Sequence, residues 1–171
     1  TIAAEQTAST ITFINSTLAS IRGAQKGVTI DFKGKTKVEN IVLILDTIIT
    51  ADKDISLPIV TTSEGIKKLV VNVPIDNLII KGNETLTIVG TGGINTLKID
   101  TSAEVNLGIE GKIEQIQVSL ANAKITLGEK AKVSDIKIPL QVSIMDIITN
   151  FAKVTGNIGK INGMLNIQPE P

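Results

Sequence analysis

The residues of this chain that could do chemistry are carboxylates. Asp46, Asp52 and Asp54 lie close together and could offer oxygens to a hard cation. Their spacing matches no EF-hand loop, and Asp between strands ordinarily makes a turn, so a turn is the preferred reading and no metal site is expected. Glu114 and Asp135 fall on neighbouring repeat units and could approach the ~5–9.5 Å separation of a glycosidase carboxyl pair. Lys112, Lys132 and Lys137 surround them, and solvated surface charge accounts for them better. The chain has no His and no Cys. Imidazole bases and ligands, Ser-His-Asp triads, thiol nucleophiles and disulfides are all removed with them. The expectation is a non-enzyme with no catalytic residue and no cofactor.

Composition narrows the classes further. Lys plus Arg and Asp plus Glu each number 17, so there is no basic field to attract nucleic acid or anionic membrane. Aromatics are 2% of the chain, with three Phe and no Trp or Tyr, too few for a base-stacking platform. No nucleic-acid partner is expected. The longest apolar run, Ile41 to Leu45, is far short of the ~20 residues of a membrane helix, and no membrane insertion is expected. The opening Thr1-Ile-Ala-Ala-Glu-Gln6 has neither a basic region nor an apolar run, so an exported protein would be represented here by its mature part. At 171 residues the chain suits one domain, 1–171, read as a fragment of a larger protein. The apolar content, 42%, is largely Ile, Val and Leu beside many Thr and Asn, which reads as strands and turns.

A repeat organises these strands. An aliphatic residue, two polar residues and then aliphatics at alternate positions recur in Ile94-Asn-Thr-Leu97-Lys-Ile99, Ile113-Glu-Gln-Ile116-Gln-Val118 and Val133-Ser-Asp-Ile136-Lys-Ile138. Val38-Glu-Asn-Ile41-Val-Leu43 and Ile66-Lys-Lys-Leu69-Val-Val71 fit the same frame, and looser copies start at Leu18 and Ile158. The starts 18, 38, 66, 94, 113, 133 and 158 give steps of 20, 28, 28, 19, 20 and 25 residues. A second strand precedes most of them, as in Val28-Thr-Ile30, Leu86-Thr-Ile88, Val105-Asn-Leu107 and Ile125-Thr-Leu127. A sandwich does not require one residue class at one place in every unit, whereas stacked coils do. The fold expected is all-β: a right-handed parallel β-helix, or β-solenoid, of about seven coils with irregular 19–28-residue repeats. A further inward column at Leu45, Val73, Thr101, Leu120 and Leu140 fails at Thr101. Two segments, Ile48 to Leu57 and Leu78 to Ile80, read as additions to two long coils. Leu140, Ile144, Ile147, Ile148 and Phe151 have helical spacing, and Ser143-Ile-Met-Asp146 resembles a capping box, which predicts a short helix over 144–152. A strand Val142-Ser-Ile144 is the alternative.

Gly156-Asn-Ile-Gly-Lys-Ile161, Gly90-Thr-Gly-Gly-Ile-Asn-Thr-Leu-Lys-Ile99 and Val105-Asn-Leu-Gly resemble the pectate-lyase-like parallel β-helix repeats of secreted and cell-surface (S-layer-associated) proteins of Gram-positive bacteria. The resemblance covers roughly residues 10–167. It implies an extracellular, cell-surface or cell-wall module acting as a spacer, adhesin or carbohydrate contact, with cell-wall polysaccharide or another surface protein as partner. Polysaccharide lyases of this architecture use clustered acidic calcium ligands with a basic residue. Here Arg22 is the only arginine and no acidic cluster accompanies it, which leaves at most a degenerate carbohydrate-binding relative. The Gly-Asn-Ile turns are also similar to those of bactofilins, cytoplasmic proteins that polymerise end to end, so a polymer-forming scaffold is the alternative.

The outward positions hold one anomaly. Val42, Ile44 and Val70 are apolar where later units place Lys98, Gln117, Lys137, Asp100 and Ser119. A strand that is apolar on both faces is covered on both. These three residues are therefore the candidate interaction patch. A 46–59 segment folded over them is expected to leave the domain a monomer. The tail Ile167-Gln-Pro-Glu-Pro171 is expected to block the last strand from extending.

Overall fold

A computed structural model of the chain describes residues 9–23 and 27–167. The prolines of the tail lie outside the described residues. β1 (Thr10–Ile14) and β2 (Thr17–Gly23) form the first coil, and β3 (Val28–Lys33) with β4 (Lys37–Leu43) the second. β5 (Thr47–Ala51) with β6 (Leu57–Thr62) and β7 (Lys68–Asn72) with β8 (Ile75–Ile80) follow. β9 (Leu86–Gly90) with β10 (Ile94–Ile99), β11 (Glu104–Ile109) with β12 (Lys112–Val118), and β13 (Lys124–Leu127) with β14 (Lys132–Lys137) complete seven coils. A cap follows, made of the single-turn helices α1 (Ile144–Ile147) and α2 (Phe151–Val154), then β15 (Ile158–Ile161) and β16 (Met164–Leu165).

Odd-numbered strands through β13 stack in parallel as one seven-stranded sheet. The even-numbered strands and β15 make a nine-stranded sheet, parallel until the antiparallel β16 closes it. The chain is a parallel β-solenoid, as the repeat requires.

The repeat motif is the sequence form of the nine-stranded sheet. In β10, Ile94, Leu97 and Ile99 are buried, while Asn95, Thr96 and Lys98 are not. Two successive outward residues interrupt the usual alternation near the start of each strand. Leu18 pairs with Val38, Ile41 with Val60, Val60 with Leu78, Leu78 with Leu97, Leu97 with Ile116 and Ile116 with Ile136, so coils are offset by 20, 19, 18, 19, 19 and 20 residues. From Ile41 to Ile136, every member of that column is fully buried. At about 1.5–3 kcal/mol per buried aliphatic side chain, these columns are the main stabilising element.

The structure corrects the two 28-residue steps. Three coil steps, not two, separate Val38 from Ile94, because Ile66 to Val73 belongs to the approach and strand of β7 in the other sheet. Its motif is a close copy for a local reason. Offsets in the seven-stranded sheet are 19 or 20 residues, except that Ile49 pairs with Val71, 22 positions on. The longer corner lets Ile66 turn inward ahead of the exposed pair Lys67 and Lys68, which reproduces the spacing. The segments read as additions are regular strands: Ile48 and Ile49 lie in β5, Leu57 in β6, and Leu78 to Ile80 in β8.

The column expected at Leu45, Val73, Thr101, Leu120 and Leu140 does not form: Val73 is buried between β7 and β8, in the other sheet's coil corner, away from the rest. The rest lie beyond the ends of β4, β10, β12 and β14, at corners, and Leu140 is 89% exposed. Ile99 is fully buried and Val118 nearly so, while Ile138, next to the cap, is half-buried. The helix forms in two turns. Ser143 Oγ accepts from the Met145 N–H at 3.2 Å, so Ser143 does cap α1. The helix then breaks because Ile148 forms a bridge to Ile125 and the Thr149 N–H donates to the Ile125 carbonyl at 2.9 Å.

The corrected register has a direct test by chemical denaturation. Leu78→Ala should cost about 2–5 kcal/mol, as should Ile116→Ala. Ile59, 39% exposed on the outer face, should cost no more than about 0.5 kcal/mol on truncation to Ala. Equal losses at Ile59 and Leu78 would contradict the 18–20-residue coil.

Candidate functional site

The polar residues cluster at the corners, where each coil must turn and its backbone groups leave the ladder. There they bond to the next coil. Asn15 Oδ1 accepts from the Lys35 N–H at 2.9 Å, and Asn72 Oδ1 from the Thr91 N–H at 3.2 Å. The buried hydroxyls work the same way: Thr62 Oγ1 accepts from the Lys81 N–H at 3.1 Å, and Thr101 Oγ1 donates to the Gly82 carbonyl at 2.6 Å. Thr101 interrupts an aliphatic reading because it is a buried corner residue with a bonded hydroxyl.

Asp46 and Asp52 belong to this class. Asp46 Oδ1 accepts from the Lys67 and Lys68 N–H groups at 2.7 and 2.9 Å, and Asp52 Oδ2 accepts from the Gly34 N–H at 2.8 Å. They flank the five-residue strand β5, roughly 20 Å apart at strand rise. They do not converge on one point. Among the described residues no group of three or more His, Cys, Asp or Glu side chains is placed to hold a metal ion. Asp54 is exposed on an open groove of about 710 Å³ along the coil corners, lined also by Lys35, Lys37, Glu39 and Pro58.

Glu114 and Asp135 do fall on neighbouring coils in adjacent columns, and each is engaged by other partners. Glu114 faces Ser134 across the coils, while Asp135 pairs in register with Gln115. Lys112 Nζ lies 2.7 Å from Glu114 Oε1, and Ser134 Oγ donates to Glu114 Oε2 at 2.9 Å. The Lys112 hydrogen bond, then the Ser134 one, hold the Glu114 carboxyl below its usual range. A general acid needs the opposite shift. Asp135 Oδ1 accepts from the Gly163 N–H at 3.1 Å and so fixes the turn of the cap.

The apolar patch does not assemble as expected. Val42 lies in β4 of the nine-stranded sheet, beside Arg22 and Thr61, whereas Val70 lies in β7 of the other sheet. Ile44 follows β4 at a corner. The 46–59 segment supplies β5 and part of β6, so it covers neither residue from outside. The expectation of a monomer loses that support. Sequence reasoning missed a different column, in which Ile48, Val70 and Val89 are consecutive outward neighbours, followed by Gly108. Thr50 and Asn72 flank it on one side and Thr87, Asn106 and Thr126 on the other. This makes a stripe whose own residues are uncharged, with Lys68 beside Thr87 at its edge. The signal for it was Ile48 beside inward Ile49 and Val89 beside inward Ile88, visible only once both strands share a sheet.

No family model, curated protein or solved structure matches this chain.

Two measurements test this assignment of the carboxylates. Asp46→Ala should lose about 1–3 kcal/mol because two backbone donors lose their acceptor. Its melting temperature, like that of the wild type, should be the same with or without a calcium chelator. A large drop on chelation would make the Asp46 corner a metal site. For Glu114, a lowered folded pKa stabilises the protein above the unfolded value, and that contribution disappears as pH falls through the folded pKa. Glu114→Gln should therefore destabilise slightly at neutral pH and not at all in acid. An NMR titration should place the Glu114 carboxyl below the ordinary glutamate value, and Ser134→Ala should raise it.

Proposed function

We propose that this chain is a non-catalytic spacer module of a bacterial cell-surface protein, a short stiff rod that sets the distance between whatever lies on either side of it. The observation that carries this reading is the continuity of both ladders. Each of the seven coils bonds to the next through two sheets, and apolar side chains from every coil join one core cluster. Seven coils at about 4.8 Å give a rod about 30 Å long. Interactions in such a fold are between nearest neighbours, so length can change by whole coils without altering the rest. The placement outside the cell rests on the likeness of the Gly90 to Ile99 and Gly156 to Ile161 segments to surface β-helix repeats. The polar groups of the corners serve the coil-to-coil bonds described above, a use that a spacer needs and a binding cleft does not.

Excision of residues 86–104 tests the proposal. It removes one coil and joins Thr85 to Val105, the residue that pairs in register with Leu86. The shortened protein should unfold cooperatively, with β7 now beside β11 and β8 beside β12. In the parent organism it should be detected on intact cells by antibody, and it should support growth and surface assembly as the full-length form does. Detection only after lysis would overturn the surface placement. Loss of assembly despite normal folding would show that the removed coil carried a specific binding surface.

A further inference from the structure

We propose that Asn162 is a self-modification site, whose side-chain amide is lost to attack by the Gly163 backbone nitrogen once the β15–β16 hairpin opens. The fold holds this reaction in check, and its isoaspartate product cannot close the hairpin again. The proposal is independent of the spacer reading.

The chemistry starts from the sequence. Asn162-Gly163 is the only Asn-Gly pair in the chain. Glycine has no side chain to shield its nitrogen, and its free backbone lets that nitrogen approach the asparagine Cγ. Both residues are exposed, and a Cβ placed on Gly163 would meet nothing within 4 Å, so water reaches the site. The Gly163 nitrogen gives its proton to solvent base and bonds to Asn162 Cγ, and the Cγ–Nδ2 bond breaks to release ammonia. The product is a cyclic succinimide. One water then opens either ring carbonyl and leaves an aspartate or an isoaspartate at position 162. A carboxyl has replaced an amide, and only water and base were needed.

The folded hairpin keeps the reacting groups apart. Ile161 pairs with Met164, so Asn162 and Gly163 form a two-residue turn with φ of 51° and 79°, positive at both positions as a type I′ turn requires. The Gly163 N–H donates to Asp135 Oδ1 at 3.1 Å, while Asn162 Oδ1 accepts from the Ile138 N–H at 2.9 Å. Asp135 and Ile138 are three residues apart in the chain, roughly 10 Å at strand rise. Nucleophile and carbonyl are thus drawn in opposite directions. The Asn162 N–H, bonded to the Ile136 carbonyl at 2.9 Å, pins the turn between them. Ring closure must release the first two of these bonds.

What guards the hairpin is slight. β16 has two residues, Met164 and Leu165, both exposed. Asn166 holds it: its N–H donates to the Gly159 carbonyl at 2.9 Å, and its Nδ2 donates to the Thr155 and Ile158 carbonyls at 2.8 and 3.0 Å. Elements with few buried contacts open locally at far less cost than the whole fold. Isoaspartate then blocks reclosing, because it routes the main chain through the side chain and adds a methylene to a turn whose length sets the strand register. An aspartate still fits the turn, but it brings a second carboxylate toward Asp135. The isoaspartate change is therefore one-way, and it falls on the last strand pair.

Incubation at mildly alkaline pH, where the Gly163 nitrogen loses its proton more often, followed by peptide mass mapping, reads the reaction directly. The product peptide is heavier by the difference between a hydroxyl and an amino group, and an isoaspartate methyltransferase marks the isomerised share. In the urea-unfolded chain Asn162 should react ahead of every other asparagine. In the folded protein it should react about tenfold or more slowly, a factor set by the hairpin's opening equilibrium. Asn166→Ala should bring the folded rate most of the way to the urea rate with an unchanged circular dichroism spectrum. If that variant does not fold, Asp135→Ala, which frees the Gly163 N–H, replaces it with the same expectation. Isolated isoaspartate protein should exchange the amide protons of β15 and β16 faster than unmodified protein, and those of the seven coils at the same rate. A folded rate equal to the urea rate overturns the proposal. So does a folded rate that the release of Asn166 or Asp135 leaves alone, or isoaspartate protein whose β15 and β16 amides exchange as before.

Discussion

Everything in this molecule depends on one constraint, that each coil must reproduce the one before it within a residue or two. Parallel strands share hydrogen bonds only in register, and a one-residue slip turns an inward side chain outward. The offsets of 18 to 20 residues in the nine-stranded sheet show how closely the rule is held. Where the chain departs from it, between β5 and β7, the extra residues sit in a corner and both strands resume their columns. Variation is absorbed where it does not reach the core.

The corners carry the second requirement. Backbone groups that leave the ladder need partners, and a buried one left unpaired costs about 1–3 kcal/mol. Asn15, Asp46, Asp52, Asn72, Thr62 and Thr101 supply them from neighbouring coils. Glycine meets the same demand by subtraction. A Cβ at Gly111 would stand 2.1 Å from the Gly92 carbonyl oxygen, so two corners pass closer than any side chain allows. The polar residues that first suggested metal or acid–base chemistry are therefore mostly consumed in holding coil to coil.

The solenoid and the short helical region were legible because they follow from spacing along the chain, while the count of seven coils agreed because Ile66 replaced the two starts at Leu57 and Ile75 and the cap strand at Ile158 was counted as a coil. Ile94, Leu97 and Ile99 announce their strand, and Ile113, Ile116 and Val118 repeat it. The phase of the third and fourth coils was not legible. Ile66, Leu69 and Val71 have the right spacing in the wrong sheet, and local pattern holds no information on which of two sheets a strand joins. The patch at Val42, Ile44 and Val70 inherited that error, since outward columns are correct only when the sheet assignment is. Thr101 was misread for a different reason: an inward threonine is tolerable only with a bonded hydroxyl, and its acceptor, the carbonyl of Gly82, lies one coil away.

Stability and surface character are separable in such a fold. The inward columns are held to branched aliphatics by the narrow space between the sheets. The stacked rings of Phe13 and Phe32, 5.8 Å apart, share one column of the first two coils, and the small Ala51 follows Phe32 in the third. Outward positions answer to no such rule, which is why Lys98, Gln117 and Lys137 can follow one another down one column. An outward column that nonetheless stays uncharged, such as Ile48, Val70 and Val89 leading to Gly108, is not explained by the core. Its side chains lie about 4.8 Å apart on a flat sheet, and the glycine at its end removes bulk where the stripe meets β11.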